Sequence, residues 1–134
     1  MQYLLDTSTC IFFLRGRLDL DSAFRQKKAS NCFISEITVF ELYYGAANSD
    51  DPAKSYATVD KFIAGLTIIP IFTCARQYAE TKVHLKRNGT PMHDEFDLII
   101  GVTAATNDLT LVTDNGKDFR FIKNLKVENW MAKQ

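Results

Sequence analysis

Short, almost wholly apolar runs recur along this chain: "YLL" at 3–5, "NCFIS" at 31–35, "LTIIPIF" at 66–72 and "LTLVT" at 109–113. "YLL" reads as a short buried strand and the others as further short apolar strands, of the kind found in parallel sheets. A sheet made of such strands has to be covered by helices on both faces, and the intervening segments have helical length. The expectation is a three-layer α/β domain around a mostly parallel sheet of four to five strands, the fifth being "LKVENW" at 125–130. Connections of this length fit right-handed crossovers. With 134 residues and no linker or repeat, one domain spanning 1–134 is expected.

Local signals punctuate the helices. "TSTCIFFLRG" opens with hydroxyl residues after Asp6 and closes at Gly16. A more polar helix is expected over "LDLDSAFRQKKAS". Ser35 is a cap for "EITVFELYYGAAN", and Pro52 and Gly65 bracket the next helix. Pro70 makes the third strand an edge or brings it to an end. "CARQYAETKVHLKRNG" and "HDEFDLIIGVTAATND" are the remaining helices, and "DNGKDFRFI" is a loop with a helical turn.

In open parallel sheets the working crevice lies at the carboxyl ends of the strands. Asp6 follows the first strand directly, and Asp114 and Asn115 follow the fourth. Asp97 sits in the first turns of the helix leading into the fourth strand. Glu41 lies inside the helix after the second, where a carboxylate interrupts "TVFELYYG". These positions are expected to converge on one edge. Singly, each has an ordinary reading: Asp6 as a helix cap, Asp97 beside a helix dipole, Glu41 as a solvated residue, Asp114 in a turn. Asp94 and Glu95 are assigned to that ordinary class.

A carboxylate cluster repels itself unless protons or cations occupy it. Oxygen ligands without histidine or cysteine pairs point to Mg²⁺, with Mn²⁺ as a substitute, and not to zinc. Such an ion implies hydrolysis at a phosphoryl centre, by polarising the phosphate and lowering the pKa of an attacking water. A phosphatase with Asp6 as nucleophile would need a second aspartate two residues on, where Ser8 stands. A receiver-like module would need an aspartate after the third strand, and Pro70 to Phe72 offers none.

The ordered set "LLDTS", "ISEITVFELYYG", "FDLIIGVTA" and "LTLVTDNGKDF", closed by "LKVENW", resembles the PIN-domain ribonucleases. Within them it is most similar to the VapC toxins of bacterial and archaeal toxin–antitoxin pairs. The resemblance covers essentially the whole chain. It implies a PIN fold and a Mg²⁺- or Mn²⁺-dependent endoribonuclease that cuts RNA, often tRNA. It also implies a homodimer and a VapB antitoxin whose C-terminal segment blocks the acidic groove. By position, Asp6 matches the family's first acid, Glu41 its second and Asp97 its third. The fourth place is open between Asp114, Asn115 and Asp118, and it leaves standing the alternative of a catalytically silent module that binds RNA or an antitoxin. Thr7 and Ser8 replace a frequent threonine–asparagine pair. Ser8 or Thr113 could hold a ligating carboxylate from behind.

Sixteen acids balance sixteen bases, so a nucleic acid must be attracted by local patches. Candidates are Lys82, Lys86 and Arg87, on a helix expected to end near the catalytic edge, and the basic stretch "FRQKKAS", either of which could equally be a solvated face. His84 and His93 lack partners at metal-site spacing and are read as structural. Cys10, Cys32 and Cys74 have no zinc spacing either; two of them are expected in the core of a cytosolic protein. Phe12, Phe13, Phe40, Tyr43 and Tyr44 are expected mostly in the core, with some left for a dimer or antitoxin groove. No run approaches the roughly 20 apolar residues that span a bilayer, and no secretory signal is expected ahead of Asp6.

Overall fold

The computed structural model describes residues 1–16 and 29–131, together with Ser22 and Gln26. Most of the polar helix expected over 18–30, and of the basic stretch within it, lies outside the described residues. The strands are β1 (Tyr3–Leu5), β2 (Cys32–Ser35), β3 (Thr67–Ile69), β4 (Thr110–Val112) and β5 (Lys126–Glu128). All four pairings are parallel, in the order β3-β2-β1-β4-β5. The helices are α1 (Thr7–Leu14), α2 (Glu36–Ala47), α3 (Pro52–Ala64), α4 (Ala75–Arg87) and α5 (Glu95–Thr106).

That strand order fixes where a site can form. From β1 the chain steps outward through β2 to β3, then returns past β1 to β4 on its other side. Right-handed crossovers in opposite directions put their helices on opposite faces. One face carries Tyr3, Leu5, Ile34 and Val112 under Cys10 of α1, Leu42 of α2 and Val59 of α3. The other carries Leu4 and Leu111 under Leu85 of α4 and Leu98, Ile100 and Val102 of α5. Successive residues of β1 therefore feed alternate faces, as a doubly covered strand must. The crevice where the two sets of crossovers part opens above β1 and β4.

Local expectations hold at several points. Ser35 caps α2 by accepting from the Ile37 N–H, and Pro52 occupies the first turn of α3 behind the Asp51 cap. β3 is one of the two edge strands and stops at Ile69, before Pro70. Gly16 and Gly89 take φ of +61° and +72°, the left-handed conformation that releases the chain after α1 and α4. All three cysteines are buried, one more than expected.

One direction departs from the simple rule that a helix after a strand starts at the carboxyl edge. Asn107, after α5, reaches the Cys74 thiol ahead of α4, while Tyr78 and Lys82 of α4 bond Glu95 at the start of α5. These helices are antiparallel, so α4 rises toward the carboxyl edge, and the segment after it reaches the site. The aromatic expectation needs correction: Phe40 and Tyr44 are 75% and 72% exposed, and Phe12, Phe13 and Tyr43 are only half-buried. The α2 face buried on the sheet is Thr38, Leu42 and Ala46, which leaves the bulky residues on its outer side.

Gly101, in the middle of α5, is where the chain after β4 lands. A Cβ there would stand 2.6 Å from Ile122 Cδ1 and 3.0 Å from Phe119 Cδ1. The first contact is closer than carbon atoms tolerate and the second is tight, so a side chain at 101 would push Ile122 and Phe119 outward.

Candidate functional site

Asp6 is the first residue past β1, and its amide continues the ladder by donating to the Val112 carbonyl at 3.0 Å. Its extended backbone makes it the N-cap of α1, with Oδ1 accepting from the Thr9 N–H at 2.9 Å. The cap reading and the site reading are both realised. Asp6 is 4% exposed, yet it lines a pocket at the crevice together with Glu41, Asp94, Asp97, Asp114 and Asn115. Three elements remote in sequence thus bring Asp6, Glu41 and Asp97 to one concavity, with Phe119 as part of its wall.

Hydroxyls tie this pocket together. Thr7 Oγ1 donates to Glu41 Oε1 at 2.5 Å and lies 3.0 Å from Thr38 Oγ1. Because the Thr7 proton is committed to Glu41, Thr38 has to be the donor in that second bond. Ser8 Oγ stands 3.1 Å from Asp6 Oδ1 and 2.9 Å from Asp114 Oδ1, with one proton to share between two carboxylates. Thr113 bonds Asp6 from the far side and accepts from the Asn115 N–H. Both Ser8 and Thr113, singled out in the sequence, touch Asp6. The Asn115 amide donates to Asp118.

Burial and mutual repulsion raise the acids' affinity for protons. Burial lifts Asp6 above the usual carboxylate range, opposed by bonds from Thr113, Thr9 and Ser8. Glu41 rises through burial and through the charges of Asp94 and Asp6, against the Thr7 bond. Asp97 is pushed up to about 7, first by burial, then by Asp94, Asp6, Glu41 and Asp118. A set of oxygen donors that suppress one another's ionisation is relieved by a divalent cation that prefers oxygen, so the residues fit Mg²⁺ or Mn²⁺. Among the described residues, however, no three Asp, Glu, His or Cys side chains are gathered closely enough to serve as a ready ligand set. Asp6 and Glu41 each accept from local donors, Asp6 from Thr9 and Ser8 and Glu41 from Thr7.

Asp94 has the ordinary role expected of it, capping α5 by accepting from the Asp97 N–H at 3.1 Å. It also lines the pocket, which its position ahead of a helix aimed at the crevice could have signalled. Glu95 stays ordinary: it bonds Tyr78 and pairs with Lys82 at 2.9 Å. Asp118 belongs to a second cavity, which shares Asp94 and Asp97 with the first and also holds His93, Arg120 and Phe121. Sequence reasoning missed Arg120. On the opposite flank an apolar groove between α1, α2 and α3 is lined by Ile11, Leu14, Leu42, Ala46 and Val59, with Glu41 at its border.

The family model described as PIN domain matches residues 3–125. Ribonuclease VapC2 of Haemophilus influenzae is 34% identical over 133 residues, covering 98% of this chain and 99% of that protein. The tRNA(fMet)-specific endonuclease VapC of Salmonella typhimurium is 33% identical over 132 residues, covering 97% and 98%. The DNA-bound VapBC complex from Salmonella typhimurium contains a chain that superposes with a TM-score of 0.90 at 32% identity, covering 97% of this chain and 98% of that one. VapBC2 from Rickettsia felis, bound to a DNA fragment from its promoter, gives 0.87 at 32% identity and covers 97% and 99%.

Proposed function

This chain belongs to the PIN-domain family, alongside the VapC ribonucleases, and on that footing we propose that it is a Mg²⁺- or Mn²⁺-dependent endoribonuclease toxin that cuts tRNA and is held in check by a VapB antitoxin. The reading is carried by one observation: Asp6, Glu41 and Asp97, from the end of β1, from α2 and from α5, line a single pocket at the switch point of the sheet. When bound there, a divalent ion supplies charge neutralisation at the scissile phosphate and an acidified water.

The chain's own part is to hold and orient. Asp6, Glu41 and Asp97 are the ligand candidates, and Asn115 or Asp114 completes the rim. Thr7 fixes the Glu41 carboxylate, Ser8 sits between Asp6 and Asp114, and Thr113 steadies Asp6. Such supporting donors typically matter by about 10- to 100-fold in metal affinity or activity. The apolar groove ending at Glu41 suits an antitoxin segment that packs apolar side chains beside the acids. Assembly as a homodimer and residence in the cytoplasm belong to the same reading. Among the described residues no helix is long and apolar enough to cross a membrane.

The splayed carboxylates favour one competing reading, a silent PIN module that only binds RNA or antitoxin. Incubating unfractionated tRNA with the protein and Mn²⁺, with and without EDTA, separates the two. Cleavage that stops with EDTA and with Asp6→Ala or Asp97→Ala is the expected result. Intact tRNA after prolonged incubation with the wild-type protein and Mn²⁺ sinks the nuclease reading.

A further inference from the structure

The second cavity lies against the acidic pocket and shares Asp94 and Asp97 with it, but its chemistry differs. Its floor comes from the turn after α4, including Pro91 and Met92, and its outer wall from Arg120 and Phe121. The Arg120 guanidinium is fixed twice within its own segment. Nη1 donates to the Lys117 carbonyl at 2.5 Å, and Cζ lies 4.5 Å from the centre of the Phe121 ring. Although Asp97 and Asp118 line the same cavity, Arg120 is paired with neither. Among the described residues the ion pairs are Lys82–Glu95 and Lys126–Asp108. A guanidinium carries five N–H donors in a planar fork that matches phosphate, so most of its capacity is uncommitted.

We propose that this cavity seats the nucleotide adjoining the scissile phosphate, with Arg120 as the ligand of that nucleotide's own phosphate and Phe121 and Met92 as the surface for its base. The inference rests on the nuclease reading of the acidic pocket and names a binding residue outside it. The chain has no net charge, so a polyanion approaching a pocket lined by five carboxylates needs a local cation at the entrance. Arg120 is an exposed positive group lining the same cavity as Asp97, on a segment whose Phe119 and Ile122 pack at Gly101. Unstacked bases of single-stranded RNA pack on aromatic and apolar side chains, and the cavity offers both beside the cation.

The test has a binding arm and a cleavage arm. In the first, unfractionated tRNA is titrated in EDTA against full-length Asp6→Asn protein with and without Arg120→Ala. Affinity should fall about tenfold, and the slope of log affinity against log salt should lose about one unit. Arg120→Lys should restore the slope while leaving part of the affinity loss, because it returns the charge without the fork. In the second, Arg120→Ala on the active background should raise KM about tenfold with kcat within about threefold. Unchanged affinity and slope overturn the proposal, as does a loss confined to kcat. So does a polyglutamate peptide that competes at 120 as strongly as tRNA at equal charge, which would assign the cavity to a protein partner. Should the wild-type protein cut no tRNA, the nuclease reading fails while the binding arm still decides on Arg120.

Discussion

Glu95 and Asp97 stand two residues apart at the start of α5 and have opposite surroundings. Glu95 faces α4, where Tyr78 and Lys82 hold its carboxyl below the usual range. Asp97 faces the crevice, where burial and the charges of Asp94, Asp6, Glu41 and Asp118 push it up to about 7. Both would favour the helix dipole equally. The difference lies in what the helix packs against on each side, so residue type and position in a helix do not separate an acid tied into packing from one facing the crevice. The partner set does.

The sharpest way to break this contrast is to remove each charge in turn. Asp97→Asn should lower tRNA cleavage in Mn²⁺ by about a hundredfold or more, at the upper end of losses seen even for residues behind a metal ligand. Glu95→Gln should leave it within about twofold, as expected for an exposed pair. Equal losses would erase the distinction. Metal linkage comes next. At Mn²⁺ about a hundredfold above its Kd, binding stabilises a protein by about 2.7 kcal/mol. The melting temperature of wild type and Glu95→Gln should therefore rise on adding Mn²⁺, and that of Asp97→Asn should rise far less. Because ligation releases the Asp97 proton, the apparent Mn²⁺ affinity should weaken below about pH 7.

A smaller effect concerns the metal-free protein. The folded state holds the Asp97 proton up to about pH 7, whereas the unfolded chain releases it near the ordinary aspartate value of 3.8. Between those values the native state binds more protons, so this residue's contribution turns increasingly unfavourable as pH rises from about 4 to 7 and then levels off. Asp97→Asn should remove that penalty and stabilise the metal-free protein at pH 8 by about 1–2 kcal/mol after allowance for solvent screening, with no gain at pH 4. Urea unfolding at the two pH values measures it. The smallest change belongs to Glu95→Gln, whose effect on stability should vanish at high salt because the Lys82 pair is exposed.

Much of this was legible because strands and their ends leave strong marks. Runs such as "YLL" and "LTLV" gave the buried sheet, Pro70 the edge, and the order of elements put Asp6, Glu41 and Asp97 on one rim. Asp94 escaped because a cap and a pocket wall make the same local pattern. Phe40 and Tyr44 escaped because aromatic residues crowd both sides of α2 in sequence, and only packing says which side meets the sheet. Arg120 lies in a turn whose direction is set by the contact of Phe119 and Ile122 with α5, a tertiary fact without a sequence period. Asp114 and Asn115 reach the pocket rim as expected, while Asp118 faces the neighbouring cavity.

That contact at Gly101 has a further result. Phe119 walls the acidic pocket, Arg120 and Phe121 wall the cavity beside it, and the hydrophobic feet on either side of them rest on one bare stretch of helix backbone. The walls of the two compartments are therefore linked from behind: a single methyl added at 101 would press on Ile122 and Phe119 together.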